Sequence, residues 1–176
     1  MSAAGPTIWL CTLALTLVAA WTDLRDRRIP NWLTIPGIFA GIALNSYFKG
    51  WHGLKVSLEG AGLALLVMLP LVLLRALGAG DWKLMGAVGA FLGPILFPFI
   101  LVASVFVAGL MAIFQMVRTR RVIETLCNLA VLVQGFFSLR VDPGISLDNP
   151  TLMKLPFGVA VAAGTLICIG AAWWGL

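Results

Sequence analysis

The chain has 176 residues, 61% of them hydrophobic and only 11% charged. A soluble domain of this length is about half apolar and a quarter charged, so the excess requires a non-aqueous surrounding and the chain reads as a polytopic membrane protein. Twelve Lys plus Arg against seven Asp plus Glu give a net charge of +5. No basic stripe interleaves with aromatics, so the surplus reads as topology signal and nucleic acid is excluded as a partner. Cys11, Cys127 and Cys168 stand singly in apolar stretches, which argues against a zinc site and a disulfide framework alike.

A helix needs about 20 residues to cross the hydrocarbon, and the apolar runs and their punctuation predict an all-α bundle of six spans. The first covers roughly Thr7 to Thr22 and is expected to be retained, since Met1 to Pro6 lacks a positive n-region. The second covers Trp32 to Phe48, after the polar run Asp23 to Asn31, and the third Leu54 to Leu77, closed by Gly78-Ala79-Gly80. Trp82 to Val117 is too long for one crossing, and Gly93-Pro94 with Pro98 supplies a turn that folds it into a fourth and a fifth. Between Val122 and Leu139, apolar residues recur at helical spacing while Glu124, Asn128, Gln134 and Ser138 interrupt the remaining surface. That pattern predicts a helix lying in the interface over 122–139. The sixth span runs from Pro156 to Trp174 and ends in a Trp pair suited to an interfacial belt.

With the N-terminus outside, six crossings put ten of the twelve Lys and Arg residues on the cytoplasmic side and leave only Lys49 and Lys55 opposite. A crossing at 122–139 would move Arg140 and Lys154 outside and worsen the split to eight against four. No repeat or linker divides the chain, and residues 1–176 read as a single membrane-embedded domain.

Two acidic residues stand near membrane depth, where a carboxylate is costly and a functional candidate by default. Asp23 ends the first span, where the helix macrodipole disfavours an anion, and Asp81 stands just before Trp82 opens a helix, where it favours one. This asymmetry suits a pair in which one carboxyl is protonated and the other activates water. Charge counting puts both at the same membrane face. Gly78 and Gly80 leave backbone uncovered beside Asp81, so an extended peptide can approach and pair with main-chain groups. The plainer readings stay open beside these: Asp81 as a helix cap after a glycine stop, and Asp23 paired with Arg27 at i+4. His52 is the only histidine and falls on the far side, so a Ser-His relay has no base and a zinc protease no ligand set.

The segments WTDLRDRRIPNWLT, GAGDWKLMGAVGAFLG and KLPFGVAVAAG, in that order, resemble the type IV prepilin peptidases, membrane aspartic proteases of the GxGD class. The resemblance covers nearly the whole chain. It implies that Asp23 and Asp81 are the catalytic pair, that Gly78 and Gly80 form a substrate-facing loop, and that Pro156, Phe157 and Gly158 border the active site. It also implies hydrolysis at the cytoplasmic face of a bacterial inner membrane, with no cofactor and no metal. The substrates implied are prepilins and pilin-like proteins with a basic leader and an apolar helix that stays among the membrane lipids. The longer form of the family carries paired CxxC motifs in a methyltransferase insertion, which this chain lacks, and an acidic residue where Asn31 stands. The chain is therefore similar to the short form that serves Tad-type, or Flp, pili. The rivals from other classes are a proton-coupled transporter subunit, whose acids should lie near the bilayer midplane, and a non-catalytic scaffold of a secretion machine.

Overall fold

The computed structural model describes residues 4–73, 77–119 and 156–173, and the described residues form four helices. These are α1 (Ala4–Asp26), α2 (Asn31–Leu73), α3 (Ala79–Thr119) and α4 (Phe157–Trp173). The interfacial helix expected over 122–139 lies outside the described residues. Three segments, Gly5–Asp26, Asn31–Leu73 and Ala79–Arg118, are long and apolar enough to cross a bilayer, and α4 is apolar but shorter.

The expected spans merge into fewer, longer elements because two breaks consume a single glycine each. Gly50 in α2 has φ 56° and Gly93 in α3 has φ 75°, left-handed values that glycine adopts without Cβ strain. Helix resumes at once on both sides. The chain nonetheless doubles back at each. The Ser57 hydroxyl donates to the Gly41 carbonyl at 3.4 Å, whereas sixteen residues of straight helix would separate them by about 24 Å. Beyond Gly93, Ser104 packs against Gly164 of α4. Gly164 is six residues from Gly158, which touches Asp23, so the later arm of α3 must return toward the aspartates. Pro98, expected to share in that turn, lies inside helix.

The first arm of α3, which ends at Gly93, is the centre of the molecule, and every residue from Leu84 to Gly93 is buried. Its all-round apolar character, Leu84-Met85-Gly86-Ala87-Val88, is what a surrounded helix requires. Both arms of α2 pack on it. At the crossing with the second arm, a Cβ on Gly60 would collide with the backbone of Gly89 and Gly93, so only glycine allows the helices this close.

The break at Gly93 frees carbonyls that the interior must satisfy. Ala90 would have received an N–H from residue 94, but Pro94 has none, and the partner of Phe91 lies beyond the break. Asn45 Nδ2 donates to the Ala90 and Phe91 carbonyls at 3.1 and 2.8 Å, and Ser57 Oγ donates to Ala90 at 2.7 Å. Both side chains are almost fully buried. The outer surface is the reverse: Phe39, Ile95, Val102 and Phe106 are each about two-thirds or more exposed. Apolar outside, with polar groups bonded inside, is the arrangement lipid selects.

Candidate active site

Asp23 lies in the last turn of α1, and the chain turns sharply after it. The Arg27 N–H donates to the Asp23 carbonyl at 3.0 Å, with Arg27 at φ 52°. This is a left-handed C-terminal cap made by a residue other than glycine, an uncommon conformation. Ile29 and Pro30 follow, and the Pro30 carbonyl accepts from the Leu33 N–H at 3.1 Å to open α2.

The carboxylate of Asp23 is buried, 6% exposed, and needs a partner. It has one from the far end of the chain. The Gly158 N–H donates to Asp23 Oδ2 at 2.8 Å. Gly158 is the second residue of α4, whose opening turn is closed by Val159 N–H to Pro156 C=O at 3.2 Å, so its N–H has no partner within the helix. Asp23 thus stands at the end of one helix and the start of another. A Cβ on residue 158 would come within 3.1 Å of the Ala19 carbonyl and of Asp23 Cβ, so any side chain there would press α1 and α4 apart by tenths of an ångström. Phe157 packs against the core cluster.

Asp81 sits differently from expectation, because α3 opens before Trp82, at Ala79. Trp82 N–H donates to the Gly78 carbonyl at 3.1 Å, which makes Gly78 the cap and Asp81 the third helical residue. Its carboxyl turns back onto the Gly78 backbone, the reach that an acid at this position makes in a capping box. The capping contact open from the sequence is therefore present at the start of α3. Gly80 faces away toward the turn after α1: a Cβ there would lie 2.9 Å from the Ile29 carbonyl.

The two acidic segments enclose one cavity of about 280 Å³, lined by Asp23, Arg27, Arg28, Ile29, Gly78, Ala79, Gly80 and Asp81. Of the residues expected at the site, four line this cavity, Gly158 touches it only through its bond to Asp23, and Pro156 and Phe157 are not among the lining residues. Arg27 and Arg28 also line it, beyond their part in the charge count of the sequence. The signal available was position: they fill the short turn between Asp23 and Pro30. Lys83 Nζ donates to Asn31 Oδ1 at 2.9 Å, a tie between the two segments that sequence spacing did not suggest.

The model of the type IV leader peptidase family matches residues 10–113, more than half of the chain and inclusive of both aspartates. The chain belongs to the type IV leader peptidase family. No match was found among curated proteins or among solved structures. Membership makes this a membrane protease of the leader-peptidase type, and the matched stretch ends before α4, whose Gly158 holds Asp23 from outside it.

Proposed function

We propose that this leader-peptidase relative hydrolyses a single peptide bond in type IVb or Flp-type prepilins and pilin-like proteins, with Asp23 and Asp81 activating water. The observation that carries the reading is the shared cavity: two carboxyls from separate helices face one space of about 280 Å³. Two like charges in such a space resist ionising together, so one proton is shared between them. The ionised carboxylate takes a proton from water as its oxygen attacks the scissile carbonyl. The protonated carboxyl donates to the carbonyl oxygen, and the amine leaves with a proton as the tetrahedral adduct collapses. The cavity is too small for a whole leader, which suits admission of the scissile bond alone, with Gly78 and Gly80 in its wall.

The doubled-back arms of α2 and α3 support a reading of six crossings in a bacterial inner membrane, with the N-terminus outside and the cavity facing the cytoplasm, in keeping with the positive-inside count. The substrate is a precursor with a basic leader and an apolar helix that remains in the bilayer. The chain lacks the paired cysteines of the longer form, which supports a reading of peptidase action alone. The test is cleavage of candidate prepilins by purified protein in lipid, comparing wild type with Asp23→Asn and Asp81→Asn. Each substitution is expected to abolish cleavage while membrane insertion is unchanged. Retention of most activity by either would end the dyad reading.

A further inference from the structure

The hydrogen bond from Lys83 Nζ to Asn31 Oδ1, 2.9 Å long, joins residues 52 apart in sequence. Lysine is a donor only, so the amide oxygen must be the group facing it. Asn31 opens α2 directly after Ile29-Pro30, and Lys83 follows Asp81 by two residues in the first turns of α3. The bond therefore bridges the two segments that wall the cavity, beside the place where Gly80 abuts the Ile29 backbone. These two contacts do different things. Gly80 against Ile29 is a non-directional approach that sets how near the segments come. The directional Lys83 to Asn31 bond fixes how far one is shifted along the other. The bond is solvent-exposed, and further along the same pair Gly41 packs on Ala90 and Phe91 and Asn45 bonds their carbonyls, so what it governs is the placement of the two ends at the cavity.

We propose that Lys83 and Asn31 form a latch that sets the offset between Asp23 and Asp81, and that both are positioning residues for the reaction. The inference rests on the reading of those two aspartates as the catalytic pair. A latch of this kind acts on the geometry of the bound state that reacts, so its loss lowers turnover and leaves substrate binding alone.

The experiment uses the full chain in lipid nanodiscs and a reporter peptide with a Lys-rich leader ending in Gly, followed by an apolar helix. kcat, KM and the thermal midpoint are measured for Lys83→Met, Asn31→Ala, their double variant and Asn31→Asp, with Asp23→Asn and Asp81→Asn in parallel. Misplacement costs predict that Lys83→Met and Asn31→Ala each lower kcat about five- to twentyfold, with KM within about twofold and the midpoint unchanged. The double variant should fall no further than the worse single one, because one bond is lost only once. Asn31→Asp should retain wild-type kcat, since a carboxylate still accepts from the ammonium.

Unchanged kcat in both single variants, with the aspartate variants dead, overturns the latch and leaves the dyad standing. So does a double variant whose losses multiply, or a rise in KM alone, which would assign Lys83 to substrate binding. Active aspartate variants overturn the dyad and the latch together.

Discussion

The two ends of the central arm of α3 face the same problem and resolve it in opposite ways. At the Gly93 end, a helix break frees the Ala90 and Phe91 carbonyls, and Asn45 and Ser57 saturate them in a dry, sealed contact. At the Asp81 end, about 18 Å away by helical rise, the helix starts and stops surround a cavity. There, the two aspartates line the space together with Gly78 and Gly80. Polar groups at membrane depth are costly unless bonded, so a protein that seals one set inside its packing and sets the other in the wall of a cavity is separating structure from chemistry. The separation is testable: changes at the aspartate end should alter turnover at constant stability, and changes at the Gly93 end should alter stability at constant turnover.

The largest effects belong to the aspartate end. Asp23→Asn and Asp81→Asn should each reduce kcat by about a thousandfold or more, the scale expected when an acid-base group is removed, with the thermal midpoint little changed. The wild-type pH profile should be bell-shaped, with one limb for the loss of the base and one for the loss of the shared proton. A flat profile across the acid and neutral range would break the comparison, since it would mean that neither open carboxyl titrates in the rate-limiting step.

Next comes Gly80→Ala. Its Cβ would lie 2.9 Å from the Ile29 carbonyl and 3.1 Å from Ile29 Cβ, and the carbonyl belongs to a backbone that cannot rotate aside. The two cavity walls must separate by tenths of an ångström, which should lower kcat/KM about tenfold or more by misplacing the aspartates. A loss confined to stability would show that the glycine serves packing, as Gly60 does at the opposite end.

The placing of the aspartates at span ends and the Gly93-Pro94 break were legible in the sequence because each is carried by local residue chemistry: a polar acid beside an apolar run, and a missing N–H. What was not legible depends on meetings between distant segments. Gly158 donating to Asp23 spans 135 residues, and no spacing rule announces it. The opening of α3 at Ala79 hid for a different reason, since Gly78 and Gly80 look like a stop signal and no residue type between them marks the start of a helix. The break at Gly50 was expected as a polar loop around Lys49 to His52, and the chain instead turns within one left-handed residue.

At the sealed end, Asn45→Ala leaves the Phe91 carbonyl without its donor, while Ser57 still serves Ala90. A buried acceptor left unpaired costs about 1–3 kcal/mol, to be read as a lowered unfolding midpoint in detergent. Turnover should hold within about twofold, because the lost bonds lie far from the reacting atoms and act on folding alone. A matching fall in kcat would mean that the two ends are mechanically coupled.

A difference between two variants separates strain from packing at the glycine breaks. Both breaks use left-handed glycine, but a Cβ at Gly93 would strike Val56 Cγ1 at 2.5 Å, whereas nothing lies within 4 Å of one at Gly50. Gly50→Ala therefore meets only the conformational penalty, about 1–2 kcal/mol for an L-residue held in that region. Gly93→Ala adds a collision inside the core and should destabilise clearly more. Comparing the two unfolding midpoints isolates the packing contribution, because the backbone penalty is common to both. Equal losses would show that the turn at Gly93 is held by its own backbone, and that the seal made by Asn45 and Ser57 follows the break without enforcing it.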